Sequence, residues 1–257
     1  MGTVVVSGAA SGIGAAVRQR LAGAGHTVVS IDLREADVVA DLATVEGRRS
    51  AIGAVRSLVG AQLDGVVACA GLGPQVRPHG KIVEVNYFGA VALLEGLRPL
   101  LAAAPAAAAV AVASNSIGFV PGADGDLCRA CLAGEEGRAT ELAGAEHGPV
   151  AYAATKLALA RWVRRKAPTD EWAGAGVRLN AVAPGAIDTP LLAGGLEHPE
   201  LGAAIRSLPI PLGGGPGRAD QAAAAIEFLL GESASFCCGS VLYVDGGSDA
   251  LLRPEAI

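Results

Sequence analysis

A chain of 257 residues with 51% hydrophobic and 18% charged side chains can bury a large core, which excludes an extended disordered protein. Its net charge of −5, spread without blocks of like sign, argues against nucleic acid and anionic membrane as partners. The five cysteines include one CxxC spacing, Cys128-Arg-Ala-Cys131, with no second pair to complete a zinc site, so no metal is expected.

Residues 1–6 open the chain without a basic region or a cleavage site, and a cytoplasmic location is expected. Apolar, β-branched runs predict strands at 3–7, 27–31, 38–40, 64–69, 107–113, 177–182 and 241–244. Helical patterns fall between them at 13–22, 44–59, 82–104, 150–166 and 219–230, with Thr44 placed to cap the second. The uncharged stretch 99–123 is broken by Pro105, Pro121 and Ser114-Asn115-Ser116, so it predicts a helix end, a strand and a loop instead of a membrane span. The repeated β–α order predicts a single α/β domain over residues 1–257. It would be a Rossmann-type, doubly wound parallel sheet of about seven strands with helices on both faces. Runs such as Val4-Val5-Val6 lack alternation and suit strands covered on both sides.

Two stretches stand outside this alternation. Residues 119–149 carry Glu135, Glu136, Arg138, Glu141 and Glu146, and predict a short amphipathic surface helix. Residues 187–217 are rich in Gly and Pro and carry Leu191, Leu192, Leu196, Leu208, Ile210 and Leu212. A connection this long inside a compact domain predicts a lid or binding loop for an apolar substrate.

Two motifs carry chemistry. Ser7-Gly8-Ala9-Ala10-Ser11-Gly12-Ile13-Gly14 follows the first strand and opens the first helix, where glycines let a pyrophosphate approach the positive helix end. Asp32 ends the second strand, placed to accept hydrogen bonds from an adenosine ribose. Its carboxylate would repel the extra phosphate of NADP and Leu33 offers no compensating charge, so NAD is the expected cofactor, with Arg34 the one nearby cation. Tyr152 and Lys156, four apart, share a helix face, where an ammonium would draw the phenol pKa down toward the working range.

Together these pieces resemble the short-chain dehydrogenase/reductase family along nearly the whole chain. The matching residues are 7–14, Asp41-Leu42, Ala70-Gly71, Asn86, Ser114, Tyr152 with Lys156, and Pro184-Gly185 with Thr189. Within the family, Ile31-Asp32-Leu33-Arg34, residues 69–74 and Val85-Asn-Tyr-Phe-Gly89 are most similar to the bacterial 3α-hydroxysteroid dehydrogenase/carbonyl reductase group, with coniferyl-alcohol dehydrogenases more distant. The resemblance implies catalysis by Tyr152 as proton donor or acceptor, Lys156 as its partner, Ser114 as the group that polarises the substrate oxygen, and Asn86 as the holder of the active-site helix and a relay water. It implies NAD contacts from Gly8, Ala10, Ser11, Gly12, Ile13, Gly14, Asp32, Ala70, Gly71, Tyr152, Lys156, Pro184, Gly185 and Ile187. Adenine contacts from Asp41 and Leu42 and a carboxamide contact from Thr189 are implied as well. Ser114, Ser116, Tyr152, Leu191 and Leu192 would face a small hydrophobic alcohol or ketone.

Departures from the family pattern are few. Ala68-Cys69-Ala70-Gly71 stands where Asn-Asn-Ala-Gly is frequent, Ser7 replaces a usual Thr, and 119–149 lengthens the Ser114–Tyr152 separation, as it does in the hydroxysteroid group. The resemblance also implies a homo-oligomer that pairs through helices after strands four and five. The insertion precedes one of those helices and would obstruct that face, so a dimer through another surface is expected. Two other functions remain open on the sequence: a dehydrogenase for another apolar alcohol or ketone (terpenoid, aryl or coniferyl type, or polyketide), and a non-catalytic NAD-binding regulator or scaffold.

Overall fold

In the computed structural model, which describes residues 2–256, strand and helix alternate from the first element. β1 (Thr3–Ser7) leads into α1 (Gly12–Gly23); β2 (Thr27–Asp32) and the short β3 (Val38–Val39) lead into α2 (Val45–Val59). Thr44 caps α2, its hydroxyl accepting the Gly47 amide at 2.9 Å. β4 (Gly65–Ala68) is followed by one helical rod made of α3 (Gly80–Val83), a π-helical turn (Glu84–Gly89) and α4 (Ala90–Ala102). β5 (Ala108–Val112) runs into a 3₁₀ turn (Asn115–Gly118), then α5 (Asp126–Ala133), α6 (Glu136–Ala145) and the long α7 (Gly148–Lys166). After β6 (Arg178–Pro184) come β7 (Ile187–Asp188), α8 (Pro190–Glu197), α9 (Gly202–Arg206) and β8 (Gly217–Arg218). α10 (Ala219–Leu230), β9 (Val241–Val244) and α11 (Ser248–Leu252) complete the order.

Seven strands make one parallel sheet in the order β3-β2-β1-β4-β5-β6-β9, while β7 and β8 pair separately. The order reverses between β1 and β4, so their connections leave in opposite directions and a crevice opens at their carboxyl ends. The expected Rossmann-type architecture is the one observed.

The uninterrupted apolar strands are explained by what covers them. Val4 and Val6 of β1 pack with Val17 and Leu21 of α1 and Ile226 of α10, while Val5 points to the layer of Val55, Leu94 and Leu159 from α2, α4 and α7. All three valines are at most 2% exposed, and burying each contributes about 1.5–3 kcal/mol. In β5 the run Ala-Ala-Val-Ala-Val is buried throughout, and its small side chains let both helical layers approach the sheet closely.

Residues 119–149 form two helices where one was expected. Gly134, at φ 76, takes the left-handed conformation that ends α5 and lets α6 start in a new direction. Cys128, Cys131, Ala139 and Ala143 bury this insertion against the core, with α5 on α7 and α6 on α3. Residues 187–217, expected as a loop, contain α8, α9 and the β7–β8 pair. Among the described residues no helix is long and apolar enough to cross a membrane.

Candidate active site

A cleft of ≈ 540 Å³ opens at the β1/β4 reversal, and its walls come from the carboxyl ends of the central strands. Gly8, Ser11, Gly12, Ile13 and Gly14 line one end. Gly8 sits at φ +69, and a Cβ there would lie 2.7 Å from the Ala70 Cα, so the turn can close only around glycine. At Gly14 a Cβ would meet the Gly8 carbonyl at 2.0 Å. Ser11 caps α1 without a side-chain bond, leaving the hydroxyl and the first-turn amides directed at the cleft. That is a cradle for a phosphate, with the helix dipole adding favourable potential.

Asp32, Asp41 and Leu42 line the adjoining wall. Asp32 Oδ2 accepts the Ala10 amide at 2.9 Å and its Oδ1 accepts the Leu33 amide at 2.7 Å, so this carboxylate also shapes the glycine turn. The Ala10 amide is turned to Asp32, and the residue lies off the cleft wall. Arg34 also lies off the wall, which leaves Asp32 and Leu33 to meet whatever occupies this end. Ala70, Gly71, Pro184, Gly185, Ile187 and Thr189 also line the cleft. Thr189 reaches back across it, its Cγ2 3.2 Å from where a Gly12 Cβ would stand. The glycine cradle, the free helix end and the strand-end carboxylate fit a dinucleotide.

Tyr152 and Lys156 line the cleft from one face of α7. The Lys156 Nζ is 6.0 Å from the Tyr152 ring centroid and donates to the Val112 carbonyl at 2.7 Å. Burial drops the Lys156 pKa from the ordinary 10.5 to about 8. The Tyr152 phenol moves the other way from expectation: burial raises its pKa, the Ser114 hydroxyl hydrogen-bonded to it opposes the rise, and Lys156 does not dominate. The protein by itself thus holds Tyr152 as a protonated phenol, a proton donor.

Behind that phenol stands a pair of hydroxyls. Ser116 donates to the Ser114 Oγ from both its amide at 3.2 Å and its hydroxyl at 3.0 Å. With its acceptor side engaged, the Ser114 hydroxyl is left to donate toward Tyr152. Ser114 and Ser116 sit on the 3₁₀ turn behind the cleft wall, so Ser116 reaches the site through Ser114.

Asn86 is fully buried in the π-helical turn. Its Oδ1 accepts the Leu72 amide at 2.7 Å and its Nδ2 donates to the Leu72 carbonyl at 3.0 Å. Through these bonds Asn86 clamps the strand-four loop, its turn packs on α7, and a Cβ at Gly71 would stand 3.4 Å from both its Oδ1 and the Lys156 Nζ. Ser7 adds to this clamp by accepting the Cys69 and Ala70 amides, each at 3.1 Å. Cys69 lines the cleft as a neutral thiol, its pKa pushed up to about 12 by burial.

Leu191 and Leu192 line the cleft from α8, whereas Leu196, Leu208, Ile210 and Leu212 do not. The sequence reading gave no role to Leu72, Val76, Arg77, Lys81 and Val85, which also line it. Their one sequence signal is position: they follow the carboxyl end of a central strand, where doubly wound sheets gather ligands. Among the described residues no three His, Cys, Asp or Glu side chains converge as a metal site would require.

Known proteins with related chains agree with this geometry. The sequence profile of the NAD-dependent epimerase/dehydratase family matches residues 4–186, and that of the enoyl-(acyl carrier protein) reductases matches residues 139–249. A 3-alpha-hydroxysteroid dehydrogenase/carbonyl reductase of Comamonas testosteroni is 44% identical over 99% of both chains. The cis-4-hydroxycyclohexanecarboxylate dehydrogenase of Sinomonas cyclohexanicum is 33% identical over 96% of both. The crystal structure of the 3-alpha-hydroxysteroid dehydrogenase from Pseudomonas sp. B-0831, complexed with NADH, superposes with a TM-score of 0.96 at 47% identity, covering 99% of this chain and 100% of that one. With a relative of that identity spanning almost its full length, the chain belongs to the short-chain dehydrogenase/reductase family.

Proposed function

We propose that this NAD(H)-dependent oxidoreductase interconverts a secondary alcohol and a ketone on a hydrophobic cyclic substrate, as a 3α-hydroxysteroid dehydrogenase/carbonyl reductase. One observation carries the reading: the half-buried Tyr152, with Ser114 acting on its phenol and Lys156 on the same helix face, stands where a dinucleotide cleft meets the apolar wall of Leu191 and Leu192. The relatives named for 3α-hydroxysteroids support the steroid substrate. NAD is supported by Asp32 and Leu33 at the adenosine end and by the NADH bound to the Pseudomonas relative.

When bound, the cofactor supplies or accepts the hydride at nicotinamide C4 and, when oxidised, adds positive charge to the site. The rest falls to this chain's residues. Tyr152 gives its phenolic proton to the carbonyl oxygen in reduction and takes it back in oxidation. Ser114, held by Ser116, donates a hydrogen bond to the same oxygen and fixes its position. Lys156 carries positive charge beside the phenol and would bind the nicotinamide ribose, while Asn86 fixes Gly71 and Leu72 in place on the cofactor wall. Gly8, Ser11, Gly12, Ile13 and Gly14 hold the pyrophosphate, Asp32 the adenosine ribose, Asp41 and Leu42 the adenine, and Thr189 the carboxamide. Ala70, Pro184, Gly185 and Ile187 complete the cofactor wall.

The chain acts as a single domain in the cytoplasm, a location supported by five free cysteines, two of them fully buried thiols. It assembles as a homodimer, supported by exposed apolar side chains along the β9 edge and by an insertion that covers part of α7.

The test is NADH formation followed by absorbance with a panel of 3α-hydroxysteroids, terpenoid alcohols and aryl alcohols. Steroid turnover should exceed the others, and Tyr152→Phe should lower turnover by about 10²–10⁴-fold with NADH affinity retained. Near-native turnover in that variant removes the proton-transfer role. Turnover confined to terpenoid or aryl alcohols removes the steroid assignment.

A further inference from the structure

The 3₁₀ turn that carries the serine pair is gripped at both ends by the segment that follows β9. At its first residue, the Asn115 Nδ2 donates to the Asp245 Oδ2 at 3.3 Å. Asp245 also accepts the Asp249 amide on that oxygen at 2.7 Å and the Gly247 amide on Oδ1 at 3.0 Å, which fixes the start of α11. At the last residue of the turn, a Cβ on Gly118 would lie 2.5 Å from the Asp249 Oδ1 and closer still to the Arg253 Nε. Two charged side chains therefore lie directly against Gly118. Ile117 of the turn and Tyr243 of β9 pack on one small cluster, Ala113, Ala160 and Ala183.

α11 has five residues, too few to persist as a helix through its own hydrogen bonds. Its Asp249 is buried, and a buried carboxylate is tolerated only when paired. Arg253 supplies the pair. Its Nε and Nη2 donate to Oδ1 at 2.9 and 2.7 Å, and Nη2 also donates to Oδ2 at 3.0 Å. The same Nη2 reaches the Tyr243 hydroxyl at 3.2 Å, so the guanidinium joins β9, α11 and the turn. What the turn holds is the Ser116 hydroxyl, whose bond to Ser114 leaves that residue free to donate toward the phenol. A turn that slid away from Tyr152 would take this donor with it.

We propose that Arg253 is a positioning residue for the reaction. Paired with Asp249 against Gly118, it holds the serine turn in register with Tyr152, from a place off the cleft wall. This role rests on the dehydrogenase reading above and adds to it a residue that acts through Ser114.

Tyr152 is faced by Ser114 from the turn, Cys69 from the strand-four loop and Lys156 from its own helix, and Ser114 is the group that draws the phenol pKa down. Oxidation needs the phenolate as proton acceptor, so its kcat/KM rises with pH through that pKa. The experiment follows kcat/KM against pH for oxidation by NAD of the best alcohol in the panel, androsterone tried first, in the wild type, R253M, R253K, D249N and G118A. R253M should lose about tenfold or more at the plateau and move the rising limb up by about half a pH unit or more, with NADH affinity by fluorescence quenching unchanged. R253K keeps a cation for Asp249 and should regain part of the loss. G118A keeps both charges but pushes them off the turn, and should move the limb the same way; it decides the matter where R253M does not fold. D249N separates positioning from a field effect. Removing a negative charge would by itself lower the phenol pKa, whereas a loosened turn raises it, so an upward shift is expected. An unchanged profile in R253M or in G118A, a downward shift in D249N, or a parallel loss of NADH affinity overturns the proposal. If no alcohol in the panel turns over, the dehydrogenase reading falls, and the phenolate absorbance of Tyr152, taken as wild type minus Tyr152→Phe, becomes the deciding titration. A midpoint raised in G118A sustains the role there; an unchanged midpoint ends it.

Discussion

At the scale of single residues the site is governed by burial more than by charge pairing. Tyr152 and Lys156 both shift toward their neutral forms because both leave water, and the hydroxyl of Ser114 supplies the opposing pull on the phenol. This has a consequence for stability. The Lys156 pKa falls to about 8 from 10.5, so between those values the unfolded chain binds more protons than the folded one. Wild-type stability should therefore rise as pH climbs from 8 to 10.5, as the cost of burying the ammonium is relieved. Lys156→Met removes that cost. Below pH 8 the variant should be more stable by up to about 3 kcal/mol, less the penalty of an unpaired Val112 carbonyl, and the advantage should fade by pH 10.5. Urea midpoints of both proteins across that range would check it; a difference that does not change with pH means that the lysine is not desolvated.

At the scale of elements, the insertion and the cofactor wall meet in one buried cation. Arg48 of α2 is 6% exposed and donates to the Leu42 carbonyl at 2.8 Å, the Ala43 carbonyl at 2.9 Å and both carboxylate oxygens of Glu136 on α6. Glu136→Ala leaves the guanidinium without its counter-charge, at an expected cost of about 2–3 kcal/mol, tempered by the partial exposure of that edge. NADH affinity should fall with it, since Leu42 and Ala43 line the cleft. An unchanged denaturation midpoint would show that the carbonyls alone satisfy Arg48. None of this was legible in the sequence, because α2 and α6 are joined by a contact 88 residues apart. The seven sheet strands were legible, since a strand covered on both faces must be apolar at every position. Thr44 was legible too, because a cap is a local bond. The π-helical turn around Asn86 was not: the predicted helix 82–104 keeps its apolar period while the backbone widens. The β7–β8 pair, two residues per strand, was too short to leave a pattern. In the site, the glycine turn, Asp32 and the Tyr152/Lys156 pair are short-range signals and could be read. Arg253 reaches the site only because the fold brings α11 onto the turn that follows β5.

At the scale of the whole molecule, β9 forms one of the two edges of the sheet. β9 is the outermost strand beside β6, and Leu242 on it, Phe236 before it and Phe228 on α10 are 36%, 104% and 44% exposed. Free backbone donors and acceptors flanked by such side chains favour a second copy, and burying each large apolar group there would contribute about 1.5–3 kcal/mol. The alternative face is less open, since α5 packs on α7. A two-subunit mass in solution is expected, and F236E combined with L242R should yield monomer, while charges introduced on α4 should not. The edge also leads to the site. Directly after β9, Asp245 accepts from the Asn115 side chain at 3.3 Å and the Asp249 amide at 2.7 Å, which holds the 3₁₀ turn that carries the serine pair. A monomeric variant should accordingly lose turnover before it loses NADH affinity, because the loosened edge reaches Ser114 and not the glycine turn. A four-subunit mass, or a monomer with unaltered turnover, would detach the edge from both assembly and catalysis.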